Sequence, residues 1–230
     1  MDFLYILFLL TLVFTVAVQF KVSSTFNTFS RISAGRGHTA SEVARRILDA
    51  HGLYHVRIEH VRGNLTDHYD PRSNVLRLSD SVFGSSSASA VGVAAHEVGH
   101  AIQHAESYAP IVWRSKLVPV VNIASKFSWI AIILGVFFSY ASALLGGYML
   151  TVGIILFAAT TLFHLVTLPC ELNASSRALT ELELTGWYNG AELTASKKVL
   201  NAAAMTYVAA LAMSVIQLLR LIRIFGNRRD

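Results

Sequence analysis

A long uncharged stretch constrains this chain more than any other feature. Residues 127–170 contain no Asp, Glu, Lys or Arg. As one helix they would measure about 66 Å, roughly twice the hydrocarbon thickness of a bilayer, so the stretch must turn back once. We expect the turn within residues 139–147, where small residues and paired glycines interrupt the bulky ones. The region 117–170 therefore predicts two membrane-spanning helices, at residues 117–138 and 148–168.

Two further uncharged stretches predict two more spans. Residues 3–20 lie between Asp2 and Lys21 with no basic segment before them, so we interpret residues 1–20 as an uncleaved anchor, with a buried core helix as the alternative. Residues 199–219 predict the fourth span, and residues 220–230 a basic tail. A hydrophobic share of 53%, a charged share of 14% and a mean hydropathy of +0.50 support a multi-pass membrane protein.

The polar segments between the spans predict a small α+β domain. Four spans place both termini on one side and residues 21–116 and 171–198 on the other. Residues 39–52 begin with Thr39 and Glu42 at the spacing of a capping box and predict an amphipathic helix. Residues 55–61 and 74–79 alternate like short strands around the turn DPRSN, and residues 88–106 predict a long helix.

The long helix carries the motif H-E-x-x-H, formed by His96, Glu97 and His100. Residues four apart lie on one helical face, so the two imidazoles can bind one ion, while Glu97 can activate a water molecule. His104 continues the spacing, but it lies about 12 Å along the axis from His96, too far for both to bind the same ion. His104 is expected near the site or on the helix surface.

Catalytic zinc sites use three protein ligands, so a third ligand is needed. Glu171 follows the third span where that span leaves the lipid on the predicted catalytic face. A carboxylate there would complete a His2Glu set, and an interfacial or capping glutamate is the equal alternative on spacing alone. His164 inside the third span and the single Cys170 are weaker candidates.

Four blocks of the sequence resemble the YugP-type neutral zinc metallopeptidases of bacterial membranes. They read LTDHYDPRSNVLRLS, AVGVAAHEVGHAIQHAESYAP, LPCELNASSRAL and KKVLNAAAMTYVAA, in this order. The resemblance implies one zinc ion held by His96, His100 and Glu171, with Glu97 as catalytic base. It places Glu171 on a helix after the third span, within a third-ligand helix and connecting segment at residues 171–198. That family resembles the HtpX-type membrane proteases, which have Asp where this chain has Ser175, so the roles of Asn173 and Ser175 stay open.

The expected function is peptide-bond hydrolysis by a zincin-like domain at the membrane surface. We expect strand residues 74–78 at a sheet edge to hold the substrate, with an internal strand as the alternative; they are Asn74, Val75, Leu76, Arg77 and Leu78. Arg177 is one candidate for stabilising the transition state. The competing functions are an inactive zinc-binding scaffold and an intramembrane protease, although residues 117–219 place no Asp in a span.

The predicted spans and the predicted peptidase activity indicate which partners to expect. The bilayer and protein or peptide substrates are expected, and an oligomer or a regulatory membrane partner is compatible with such a chain. The net charge of +5 lacks the aromatic and basic motif of nucleic-acid binding. Basic residues near membrane ends favour a cytoplasmic catalytic face by the positive-inside rule. Those on the catalytic face are Lys21, Arg31, Arg36, Arg114, Lys116, Arg177, Lys197 and Lys198, against Arg220, Arg223, Arg228 and Arg229 on the other.

Overall fold

The computed structural model describes residues 3–34, 37–188 and 190–226, so Asp2, Arg36, Arg228 and Arg229 lie outside the described residues. This part of the chain is mostly helical with one small sheet. The elements are α1 Phe3–Phe29, α2 Ala40–Ala50, β1 Arg57–Val61, β2 His68–Asp70, β3 Val75–Ser79, α3 Ala88–Ala105, α4 Ala109–Phe138, α5 Ala143–Leu184 and α6 Gly190–Gly226. Two compact units result: the described residues of 1–17, 112–169 and 207–230, and those of 18–111 and 170–206.

Helices α1, α4, α5 and α6 are long and apolar enough to cross a membrane. Large apolar side chains in the first unit, such as Val13, Ile133 and Ile155, are more than half exposed. An apolar surface of this extent is unfavourable in water and is expected where lipid covers it. All four helices extend beyond the uncharged stretches, because a charged residue ends a hydrophobic run without ending a helix. Arg220 and Arg223 accordingly lie within α6 rather than in a separate tail.

The connection between α4 and α5 is shorter than the sequence suggests. It comprises residues 139–142, and Gly146 and Gly147 already belong to α5. A Cβ atom added to Gly146 would lie 2.6 Å from the Ser139 backbone, and one added to Gly153 would lie 2.6 Å from the Ile132 side chain. Gly146 and Gly153 therefore allow α4 and α5 to pack closely, as small residues do between helices in membranes.

Helix α5 continues through Pro169 to Leu184 without a break. A proline within a helix loses one backbone hydrogen bond, and tertiary contacts can offset that loss. Glu171 therefore lies on the same helix as the predicted third span, rather than on a separate helix after it.

The second unit is built on α2 and α3. Thr39 accepts a hydrogen bond from the Glu42 backbone N–H, and the Glu42 carboxylate accepts one from the Thr39 backbone N–H, which confirms the predicted capping box. Helix α2 buries Val43, Ile47 and Leu48 in the main hydrophobic core. Helix α3 is rich in Ala and Gly, which lets neighbouring elements approach its backbone closely.

The three strands form a sheet in the order β1-β3-β2. Strand β3 pairs in parallel with β1 and antiparallel with β2. The prediction that Asn74, Val75, Leu76, Arg77 and Leu78 form a substrate-binding edge is therefore wrong, because β3 is the central strand and Asn74 lies in the turn before it. The alternation of residues 74–79 reflects burial of Leu76 and Leu78, which both central and edge strands can show.

Candidate active site

Two histidines of α3 and one glutamate of α5 converge in the second unit. His96 and His100 have ring centroids 4.8 Å apart. Glu171 Oε2 lies 3.2 Å from His96 Nε2 and 3.3 Å from His100 Nε2. Glu171 is 1% exposed and His100 is 8% exposed, so the carboxylate and the imidazole are both largely shielded from water. The structure therefore brings together the three side chains that the sequence suggested as metal ligands.

A glycine determines how closely α3 and α5 approach. A Cβ atom added to Gly99 would lie 2.7 Å from the carbonyl oxygen of Ala174 and 3.3 Å from its Cα. Gly99 lies between Glu97 and His100 on α3, and Ala174 lies one helical turn beyond Glu171 on α5. Only glycine allows the two backbones to approach this closely without displacement, and this contact helps to place the Glu171 carboxylate beside the two imidazoles.

Each histidine is oriented through its second ring nitrogen. His96 Nδ1 lies 3.1 Å from Ser175 Oγ, and His100 Nδ1 lies 3.0 Å from Gln103 Oε1. Because an amide oxygen can only accept, His100 donates from Nδ1 to Gln103, and Nε2 is the ring nitrogen that faces Glu171. A histidine that binds a metal through Nε2 commonly donates its other ring N–H in this way.

Gln103 links the two ligand helices. Its Nε2 donates to the Cys170 carbonyl oxygen at 2.8 Å and to Asn173 Oδ1 at 2.9 Å, while its oxygen accepts from His100. The side chain is fully buried and has all three interactions within the second unit. The motif H-E-x-x-H does not include Gln103, and its position three residues after His100 on the same helical face is the signal that could have identified it.

Asn173 and Arg177 extend this network away from the three ligands. Arg177 Nε donates to Asn173 Oδ1 at 2.7 Å, and the Arg177 guanidinium forms an ion pair with Glu106 at 2.7 Å. Its guanidinium carbon also lies 5.8 Å from the centroid of the Tyr108 ring. Arg177 thus joins α5 to the residues that follow α3, where it supports the network around His100.

Glu97 lies outside the group of potential metal ligands, at the edge of the sheet. Its Oε2 accepts a hydrogen bond from the backbone N–H of Tyr69 at 3.1 Å. The potential ligand group contains His96, His100 and Glu171 alone among the described residues. The Tyr69 ring is tilted against His104, with centroids 5.7 Å apart, so His104 packs beside β2 and does not join that group.

Two aspartates accept hydrogen bonds around strands β2 and β3, and one of them, Asp67, interacts with the charge of Glu97. Asp67 accepts hydrogen bonds from the backbone N–H and hydroxyl of Ser79, while burial raises the pKa of its carboxyl, with a smaller contribution from the charge of Glu97. Asp70 accepts from the Ser73 hydroxyl and the Arg72 backbone N–H, which lowers its pKa to about 2. Burial raises the pKa of the Tyr69 hydroxyl, with the charge of Asp70 adding to the effect.

The donor set fits a zinc ion. One atom from each of His96, His100 and Glu171 can serve as a ligand, and the three atoms lie within 4.8 Å of one another. Zinc–ligand bonds of about 2.0–2.2 Å place a pair of ligand atoms no more than about 4 Å apart, and the two Glu171–imidazole distances of 3.2 and 3.3 Å lie within that limit. Two imidazoles and one carboxylate are a ligand set of catalytic zinc sites in peptidases.

Comparison with known proteins gives the same class. The family described as "Putative neutral zinc metallopeptidase" matches residues 4–226, and the chain belongs to this family. The chain is also 50% identical over 213 residues to the "Putative membrane protease YugP" of Bacillus subtilis (strain 168), an alignment that covers 92% of each protein. No solved structure matches the chain.

Proposed function

We propose that this protein is a multi-pass zinc endopeptidase with a zincin-like site that hydrolyses peptide bonds at the membrane surface. The observation that carries the proposal is the convergence of His96, His100 and Glu171, with Glu97 beside them but outside the ligand group. Family membership and the membrane protease among the relatives support the same activity.

One zinc ion per chain would be held by His96, His100 and Glu171. When bound, zinc supplies Lewis acidity that polarises the scissile carbonyl group and makes water easier to deprotonate. Ser175 and Gln103 hold the imidazoles in the orientation that leaves Nε2 available as the ligand atom. The short contacts from Glu171 to both imidazoles support the proposal that the three side chains share one ion.

Glu97 is proposed as the general base. It would accept a proton from the attacking water and transfer it to the leaving amine. The hydrogen bond from the Tyr69 N–H fixes Oε2, and the other carboxylate oxygen remains for this proton transfer. A carboxylate that is itself a ligand could not fill this role as well, because the metal would compete for its lone pairs.

We propose the outer edge of β2 as the site of substrate binding, in place of the central strand β3. In the antiparallel pair Tyr69 lies opposite Leu76, yet its N–H donates to Glu97 rather than to β3. The backbone groups of Tyr69 therefore face away from the sheet and towards Glu97. An extended peptide could add to this edge through backbone groups other than the Tyr69 N–H, which already donates to Glu97, with little demand on its sequence.

The protein is proposed to lie in the bacterial cell membrane with the catalytic face in the cytoplasm. The four helices and the membrane protease among the relatives support a membrane location. The distribution of basic residues favours the cytoplasmic face. Protein or peptide substrates, including membrane proteins, would then reach the site from that side.

Two substitutions in the full-length, detergent-purified protein test the proposal. Glu97→Gln should keep about one equivalent of zinc while casein hydrolysis falls by roughly 10²–10⁴, the contribution of a general base. Glu171→Ala should lose both zinc and hydrolysis, because two neutral imidazoles bind the ion weakly. Glu183→Gln, an exposed position on the same helix as Glu171, provides the control and should match the parent.

Three outcomes would contradict the proposal. Loss of zinc from Glu97→Gln would make Glu97 a ligand rather than the base. Retention of zinc by Glu171→Ala at the parent affinity would place the third ligand elsewhere. A parent protein that binds zinc but hydrolyses no peptide bond would favour the inactive scaffold.

A further inference from the structure

A polar cleft separate from the proposed active site lies between α1 and α6, within the second unit. Its volume is about 560 Å³. The described residues that line it are Lys21, Ser24, Thr25, Thr28, Phe29, Lys198, Asn201, Ala202 and Met205. The lining thus includes two lysines, three hydroxyl groups and an amide, together with an apolar wall. No residue of this lining belongs to the proposed active site.

Each of the two lysines lies at the boundary between the charged and the uncharged part of its helix. Lys21 directly follows the uncharged residues 3–20 of α1, and Lys198 directly precedes the uncharged residues 199–219 of α6. Each lysine therefore lies where its helix passes from water into the hydrocarbon region. This is the depth of the phospholipid headgroups, and the cleft lies at that depth because it includes both lysines.

Two lysine side chains give the cleft a positive charge. Both lysines are exposed, and within the described part of the chain neither forms an ion pair with a carboxylate. Lys198 Nζ lies 5.7 Å from the centroid of the Phe29 ring, which holds the ammonium group beside the cleft. Ser24 and Asn201 add hydrogen-bond donors on the same lining, whereas the Thr28 hydroxyl donates to the Ser24 carbonyl oxygen at 2.8 Å.

The apolar part of the lining adjoins the membrane stretch. Ala202 and Met205 lie beyond Asn201 on α6, and the uncharged sequence continues from them to residue 219. A ligand bound at the lysines would therefore meet an apolar surface on the side of the hydrocarbon. A free phosphate ion has no group for that surface, whereas a phospholipid has acyl chains for it.

We propose that this cleft binds the headgroup of an anionic phospholipid. The lysines pair with the phosphodiester, the hydroxyl and amide groups donate to its oxygens, and the first methylene groups of the acyl chains pack against Met205. The site would hold one lipid at a fixed place on the catalytic side of the membrane. It does not depend on the proposed hydrolytic activity.

Native mass spectrometry of the full-length protein tests this assignment. The protein in a neutral detergent is mixed with equal amounts of phosphatidylglycerol and phosphatidylcholine. We expect the parent to retain one phosphatidylglycerol in preference to phosphatidylcholine. The double variant Lys21→Gln, Lys198→Gln should bind phosphatidylglycerol roughly 30-fold more weakly, the change expected for two lysines at an anionic lipid surface.

A charge-matched double variant separates a site from general attraction. Lys116→Gln, Lys197→Gln removes the same charge, and neither residue lines the cleft; it should retain the lipid like the parent. Ser24→Trp keeps both lysines, fills the cleft from an exposed position and should also lose the lipid. The thermal unfolding temperature of each variant in detergent verifies that it is folded.

Three results would overturn the proposal. Equal loss of lipid from both double variants would mean that net charge, rather than the cleft, attracts the lipid. Full retention by Ser24→Trp would place the lipid elsewhere. Displacement of phosphatidylglycerol by an equal concentration of inorganic phosphate would identify a site for free phosphate instead.

Discussion

Replacing Gly99 by alanine tests whether the close crossing of α3 and α5 positions the proposed zinc ligands. The added Cβ would lie 2.7 Å from the Ala174 carbonyl oxygen, and ordinary contact begins at 3.4 Å, so the backbones must separate by about 0.7 Å (3.4 − 2.7). The obstructing atom belongs to the backbone and cannot move aside by changing a rotamer. Glu171, one turn earlier on α5, would move with it.

That displacement is large compared with the tolerance of a metal site. Ligand distances in such sites stay within about 0.2 Å of their usual values. We therefore expect Gly99→Ala to lower zinc affinity by at least tenfold to a hundredfold, the range observed when ligand orientation is disturbed. The substitution should not destabilise α3 itself, because the helix propensity of alanine is more favourable than that of glycine by about 1 kcal/mol.

Competition with a chromophoric chelator measures this change on the full-length protein in detergent. Gly147→Ala is the matched control, since it makes the same substitution within α5 at a position where the new Cβ meets no atom within 4 Å. It should bind zinc like the parent. If Gly99→Ala bound zinc within twofold of the parent, the crossing at Gly99 would not be what fixes the position of Glu171.

Three further predictions concern the polar network, pH and orientation. Gln103→Leu should lower zinc affinity by about 10- to 100-fold in the same chelator assay, because His100 Nδ1 loses its acceptor; an unchanged affinity would deny Gln103 this role. Burial raises the pKa of Asp67 above its usual 3.8, so the folded state holds that proton more tightly than the unfolded chain. The free energy of unfolding should therefore fall as pH rises from about 3.8 through the raised pKa, and Asp67→Asn should weaken this slope in chelator-treated protein; equal slopes would contradict the assignment. A C-terminal alkaline phosphatase fusion should be active and a green fluorescent protein fusion dark, since the termini are expected outside; the reverse would place the catalytic face outside the cytoplasm.

Local signals in the sequence predicted the helices and the ligand pair. The capping box at Thr39 and the i, i+4 spacing of His96 and His100 depend on neighbouring residues, so the pattern alone specifies their geometry. The long uncharged stretches predicted the four apolar helices for the same reason. Their ends were less predictable, because hydropathy reports where charge begins and the helices continue past that point.

Features that depend on pairing between distant segments could not be predicted in this way. The order β1-β3-β2 is set by which strands pair, and the alternation of residues 74–79 is the same for a central and an edge strand. The contact of Gly99 with Ala174 and the bridge from Gln103 to Cys170 and Asn173 likewise join segments far apart in sequence. The motif H-E-x-x-H does not specify its two intervening residues. That the second of them must be glycine becomes evident only when α5 lies beside α3.

The roles of Asn173 and Ser175, which the sequence left open, have a common physical basis in the structure. Both imidazoles have neutral partners, the Ser175 hydroxyl at His96 and the Gln103 amide at His100, and Asn173 supports that amide. With a divalent zinc, the two carboxylates proposed for the site, Glu171 and Glu97, would then balance the charge of the ion. A carboxylate in place of Ser175 would add a negative charge next to His96 and reduce the Lewis acidity available to the substrate carbonyl. Neutral partners would therefore orient the proposed ligands while leaving the positive charge of a bound zinc ion for the proposed reaction.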